Sequence, residues 1–158
     1  VTSYMEMPNT VPSAINKSLL ESKYAIASQF SPANYSFFMG TTNSNIEDVL
    51  QIDVENVCGI KIFMGSSTGD MLVDNKHTLE KIFSEAPTII AIHSEDDTMV
   101  KANASYWKDK LGEENLNAAH HPIIRDEKAC YAMTNFAVSL AKKHGTYLHV
   151  LHISTLDE

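Results

Sequence analysis

Four residues have side chains that do chemistry and stand at or near the ends of apolar runs: Asn9, Lys61, His93 and His152. Lys61 interrupts GIKIFMG, where Ile60, Ile62, Phe63 and Met64 read as a buried strand. A lysine there pairs with a carboxylate, runs its ammonium out to the sheet end, or is neutralised and put to use. A desolvated amine has a lowered pKa. It then serves as a nucleophile, or it captures carbon dioxide and becomes a carbamate, a carboxylate on a long arm that bridges two metal ions. His93 closes IIAIH, and His149 and His152 lie in LHVLHIS. Each taken alone reads as a hydrogen-bonded histidine. Lys61, His93 and one of the last pair, at equivalent ends of successive strands, read as a donor set for zinc. His149 and His152 are three apart, so on one strand they face opposite sides and at most one points into a barrel.

The elements that must position these residues alternate. Strands are predicted over 1–7, 35–40, 57–64, 88–93 and 147–153, from short apolar runs bounded by turn residues. Helices are predicted from Ser13 to about Ser28 with Ser13 as cap, over 45–51 with Asn45 as cap, and over 75–86, 98–111 and 126–144. Gly145 fits the position just past the last helix. The order is therefore β-α-β-α-β-α-β-α-β, with strands apolar enough to be covered on both faces. Two architectures fit: a doubly wound five-stranded sheet, or part of a (β/α)8 TIM barrel, which closes only with roughly 200 residues or more. The polar residues at strand C-terminal ends favour the partial barrel, since barrel sites are built there. So do termini that look cut through strands. Residues 1–158 are read as one segment of a metal-dependent hydrolase barrel, about strands 2 to 6 with their helices.

Other polar residues have plainer readings. His120, His121 and Pro122 form a loop that orders a long connection, or a substrate site. The acidic run from Ser94 to Asp97 is an acidic loop, or it supports a metal-bound His93. Arg125 and Glu127 are helix-start charges or an internal ion pair, and Tyr106 and Trp107 pack. Gly65 to Gly69, GSSTG, offers backbone N–H groups to an anion but matches no phosphate-loop or dinucleotide pattern.

The formal net charge of −8 argues against nucleic acid or an anionic membrane as partner. Cys58 and Cys130 show no metal-knuckle spacing and read as reduced thiols of a cytoplasmic protein. There is no apolar run long enough to span a bilayer.

The blocks MEMPNTVP (5–12), GIKIFMGSSTG (59–69), IIAIHSEDD (89–97), HHPIIRDEKAC (120–130) and LHVLHIST (148–155) resemble the dihydroorotases of the amidohydrolase superfamily, in order and across essentially the whole segment. MPNT with the lysine strand is the most specific part; histidine-ending strands are shared with hydantoinases, dihydropyrimidinases and allantoinases. The resemblance implies zinc-dependent, reversible hydrolysis of the cyclic amide of dihydroorotate to N-carbamoyl-aspartate, in pyrimidine biosynthesis. It implies two Zn2+ bridged by carboxylated Lys61, with His93 and His152 as metal ligands, and His149 unused. Asn9 matches the asparagine that holds the substrate carboxylate.

The family's HxH pair and its general-base aspartate match nothing in these residues, so the isolated segment is expected to load metal weakly and to be inactive. A half barrel exposes sheet edges, so the segment is expected to need the rest of its chain, or another subunit, to stay soluble, and a homo-oligomer is expected. Competing readings are a hydantoinase- or dihydropyrimidinase-type cyclic amidase, a non-catalytic partner subunit of the same fold, and a flavodoxin-like binding module.

Overall fold

A computed structural model describes residues 1–65 and 70–158. The elements are β1 (Ser3–Glu6), α1 (Lys17–Phe30), β2 (Asn34–Gly40), α2 (Ile46–Leu50), β3 (Gly59–Phe63), α3 (Lys76–Glu85), β4 (Ile90–His93) and α4 (Asp97–Leu111). Two short 3-10 turns, Glu113–Asn115 and Ala118–His120, then lead to α5 (His121–Ile124), α6 (Glu127–His144) and β5 (Leu148–Val150).

All five strands are parallel and lie in the order β1-β2-β3-β4-β5. A doubly wound sheet reverses its strand order at a switch point. This one never does, so it is a curled half of a (β/α)8 barrel and not the doubly wound alternative. Side-chain alternation then assigns the two faces. Phe37, Met39, Ile60, Ile62, Ile90 and Ile92 form one core with Leu20, Ala27, Val49, Leu79, Ile82, Phe83, Ala137 and Leu140 from the helices. Full burial of each large side chain contributes roughly 1.5–3 kcal/mol. The opposite face belongs to the residues between them. Gly40, Lys61 and Ala91 stand side by side there on β2, β3 and β4.

Helix ends show which residues hold the fold. Asn75, Asp96 and Asp126 cap α3, α4 and α6 with side-chain oxygens. Gly145 takes a left-handed conformation (φ 71°) that terminates α6, as its position predicts. Two expected caps are different. Asn16 caps α1, through a 2.9 Å bond from Leu19 N, so the helix begins after Ser13 rather than at it. Asn45 precedes α2 but does not cap it; its amide donates to Gly40 O and Ile15 O, and its oxygen accepts from Thr42 N. Asn45 thus ties the end of β2 to the segment ahead of α1, where a buried polar side chain satisfies three backbone groups at once.

Candidate metal centre

Lys61 lies in the middle of β3, flanked by Ile60 and Ile62, and is only 2% exposed. Its backbone is fixed by Thr41, which donates to Lys61 O from both its amide (3.2 Å) and its hydroxyl (2.9 Å). Its Nζ donates to Ile62 O at 2.9 Å and sits 3.6 Å from the centre of the Phe63 ring. Among the described residues no carboxylate pairs with it. Burial alone pulls its pKa down from 10.5 to about 7. The expectation of a carboxylate partner or of an ammonium led out to the sheet end is therefore not met. A good fraction of this amine is uncharged near neutral pH, the form that attacks an electrophilic carbon.

One strand further on, His93 closes β4 beside Phe63 of β3, their rings 6.0 Å apart. Met64 N donates to His93 O at 2.9 Å, which locks the two strand ends together. Gly65 follows, packed so closely on the Glu95 backbone that a Cβ there would collide with the Glu95 carbonyl. Glycine is what lets the exit of β3 nest against the exit of β4. Residues 66–69, the rest of the expected anion loop, lie outside the described residues.

His152 reaches the same place by a turn. Leu151 N donates to Ile92 O, so the chain still runs beside β4 after β5 has ended. His152 then takes φ 41°, a positive φ for a non-glycine residue, which is uncommon and concentrates at functional positions. The turn brings His152 Nε2 to 3.0 Å from His93 Nδ1, with the rings 4.9 Å apart. Two nitrogens bound to one tetrahedral zinc stand roughly 3.3 Å apart. At 3.0 Å the two nitrogens are within hydrogen-bond distance of each other and close to that spacing, and neutral imidazoles are donors that zinc accepts. Among the described residues no three His, Cys, Asp or Glu side chains gather closely enough to hold a metal on their own.

His149 and His152 do not divide between two faces of one strand, as their spacing predicts. β5 stops at Val150, so period-two alternation never extends to His152. His149 is in register with Ala91 and shares the face of Lys61, exposed, while Leu148 and Val150 pack on the core. Both histidines belong to the inner side, one by register and the other by a turn.

Glu95 and Arg125 form a unit that sequence spacing does not reveal. Arg125 does not pair with Glu127 at the start of α6; it grips Glu95, thirty residues upstream, with Nε donating to Oε1 at 2.8 Å and Nη2 to Oε2. His93 Nε2 lies 2.7 Å from Glu95 Oε2. Burial pushes the Glu95 carboxyl up, but the bonds from His93 and Arg125 and the guanidinium charge outweigh it and bring it down to about 2. The HSED spacing is the one available sign, since a histidine followed two residues later by a carboxylate suits outer support of a ligand. Ser94, between them, bonds to Thr134 Oγ1 of α6 at 2.7 Å, and Thr134 in turn donates to Glu158 at 3.0 Å. Glu158 also accepts from the Thr155 hydroxyl at 2.9 Å, which secures the turn after His152.

Asn9 is exposed in the segment following β1, at the same end of the sheet, with β2 and β3 standing between it and His93. His120 accepts from Asn117 N at 3.2 Å and so shapes the turn before α5, as a loop-ordering residue does. Tyr106 and Trp107 stack edge to face on α4 under Lys110.

The buried lysine and the histidine pair thus lie toward the C-terminal face of a parallel half barrel, the face at which barrel active sites are built. No protein-family model matches the chain. It is similar to the dihydroorotase of Methanosphaera stadtmanae, 29% identical over 154 residues, covering 98% of this chain and 34% of the relative. It is similar to the allantoinase of Enterococcus faecalis at 30% identity, covering 98% of this chain and 36% of that one. Its fold matches a structure of the L-hydantoinase (dihydropyrimidinase) from Arthrobacter aurescens with a TM-score of 0.88, at 23% identity, over 98% of this chain and 34% of that one. The chain therefore spans about a third of the length of the relatives it matches. Among the described residues no helix is long and apolar enough to cross a membrane.

Proposed function

We propose that this chain forms the central part of a zinc-dependent cyclic amidohydrolase, and specifically of a dihydroorotase. The observation that carries the reading is Lys61: a buried amine, with no ion pair among the described residues, one strand from two converging imidazoles. The similarity to cyclic amidohydrolases of three kinds supports the broader class. The narrower substrate rests on MPNT at 7–10, where Asn9 would hold the carboxylate of dihydroorotate.

Two imidazoles, and a buried lysine once it is carboxylated, are nitrogen and oxygen donors of the kind zinc takes, which supports the reading. The uncharged Lys61 amine would attack carbon dioxide: an N–C bond forms as one C=O π bond opens onto oxygen, one proton passes from the nitrogen to water, and the product is a carboxylate on the lysine. That carboxylate would hold two zinc ions, and His93 and His152 would ligate one of them. When bound, the metal would supply the Lewis acidity that makes water nucleophilic near neutral pH and polarises the amide carbonyl. Asn9 orients the ring rather than reacting with it, which lowers the entropic part of the reaction barrier. The buried walls around Lys61 keep its new charge from being freely solvated and so strengthen its hold on a cation.

Lys61→Ala is expected to abolish metal loading and to lower hydrolysis by at least about a thousandfold, the scale of losing an electrostatic anchor. The test is turnover of dihydroorotate, allantoin and hydantoin by the natural polypeptide that contains this chain. Near-normal activity of Lys61→Ala without added carboxylate would sink the metal reading. A preference for allantoin or hydantoin would leave the class standing and replace the substrate.

A further inference from the structure

Glu95 is a nearly buried carboxylate with its donors already in place. Arg125 occupies both oxygens from one side, with its Nε–Oε1 bond at 2.8 Å and its second nitrogen on Oε2. His93 Nε2 approaches Oε2 from the other side at 2.7 Å. An ionised carboxylate only accepts hydrogen bonds, and a guanidinium only donates them. The proton in the His93–Glu95 contact therefore sits on His93 Nε2. A neutral ring protonated at Nε2 carries its lone pair at Nδ1, the atom that faces His152 Nε2 at 3.0 Å.

We propose that Glu95, gripped by Arg125, is a positioning residue that fixes His93 as the Nε2–H tautomer and turns its Nδ1 lone pair toward His152. Arg125 is brought to this duty by the connection after β4. Its backbone amide donates to His121 O at 2.9 Å, and Asn103 of α4 donates to Ile124 O at 3.0 Å, so α5 is pinned to α4 just where the guanidinium leaves the chain. Asp96 N also donates to Ala129 O of α6 at 3.0 Å, which holds the HSED segment against the helix that follows Arg125. The long excursion from α4 to α6 thus returns one cation to the base of one histidine.

There is a competing arrangement. Arg125 Nη2 lies 3.5 Å from His93 Nε2. Were that nitrogen the acceptor of an arginine proton, the ring would carry its proton on Nδ1 and present no lone pair to His152. The much closer carboxylate decides against this. A lone pair at Nδ1 is also what a metal ion needs, and that consequence alone rests on the proposed function; the tautomer does not.

The test is long-range 1H–15N correlation of the histidine rings in the whole chain, on the alkaline side of the imidazole range, without metal. His93 is expected as the Nε2–H tautomer alone. In Glu95→Gln the new carbonyl is drawn to Arg125 and its amide NH2 is left facing His93, so the ring is expected to change to Nδ1–H. Exposed His149, on the same sheet side, should be unchanged. A wild-type ring found as Nδ1–H overturns the proposal, and so does a ring that keeps its tautomer in a folded Glu95→Gln. Should that variant fail to fold, the wild-type spectrum decides by itself. Zinc titration of both proteins gives a second readout, with about 10- to 100-fold weaker binding expected for Glu95→Gln. A tautomer change with no zinc uptake by either protein would uphold the positioning role and count against the metal reading.

Discussion

Two ionisable groups are buried within a few residues of the β3–β4 seam, and they are treated in opposite ways. Glu95 is surrounded by donors, its oxygens gripped by Arg125 and touched by His93. Lys61 has a carbonyl, an aromatic face and no ion pair among the described residues. Hydrogen bonds and a facing charge hold the Glu95 carboxyl down at about 2 despite its burial, so it stays an anion at any physiological pH. Burial without compensation brings the Lys61 amine down to about 7, where it is half free to react. A paired buried charge is held in one form; an unpaired one is left close to its neutral form and marks a candidate functional group.

The contrast breaks most visibly if Glu95 is removed. Glu95→Ala leaves Arg125 without its partner in a largely enclosed place and is expected to cost about 3 kcal/mol of unfolding free energy. A denaturant titration measures it. The acid limb should report the same group. Its folded pKa lies below the unfolded value of 4.5, so its stabilisation is present above pH 4.5 and is lost as pH falls from there toward about 2. In the variant that part of the acid dependence should vanish.

Stability again rises with pH for the second group, but where the lowered pKa of Glu95 marks a gain, that of Lys61 marks a penalty at neutral pH. Its folded pKa of about 7 lies below 10.5, so the unfolded chain binds more protons between those values. Stability is therefore penalised fully below about pH 7 and recovers as pH rises toward 10.5. Lys61→Met, which fills the space without charge, is expected to raise stability at pH 6 by about 2 kcal/mol and to flatten that slope. A stable variant with no chemistry is the expected signature of a group retained for function at a cost in stability.

The smallest effect concerns the other support. Thr134→Val removes the hydroxyl joining Ser94 to Glu158 and should cost about 1 kcal/mol. If it also separates the His93 and His152 ring signals from their wild-type positions, the turn after β5 is held from α6. If the rings are undisturbed, the φ of His152 is set by the local chain.

Lys61 is legible in the sequence as a charge inside an apolar strand, and His93 as the end of one. The parallel alternation and the barrel-like placement of polar residues at strand ends follow from local patterns. What is not legible depends on where strands stop and on contacts far apart in sequence. Alternation sets His149 opposite His152 only when β5 is carried two residues past its true end. Ser13 and Asn45 suit caps by residue type, whereas Asn16 competes better for α1 and Asn45 has three backbone partners elsewhere. Arg125 meets Glu95 only after α4, two 3-10 turns and α5 have folded back, and no spacing rule spans that distance.

The most direct measurement is a pH titration of the Lys61 side chain by NMR, with lysine labelled at Cε and Nζ and the signal assigned through Lys61→Met. A midpoint near 7 is predicted, against 10.5 for an ordinary lysine, together with a carbamate signal when labelled bicarbonate is added. A midpoint near 10.5 and no carbamate would mean that Lys61 is a solvated or paired cation, and the account of this site would be wrong.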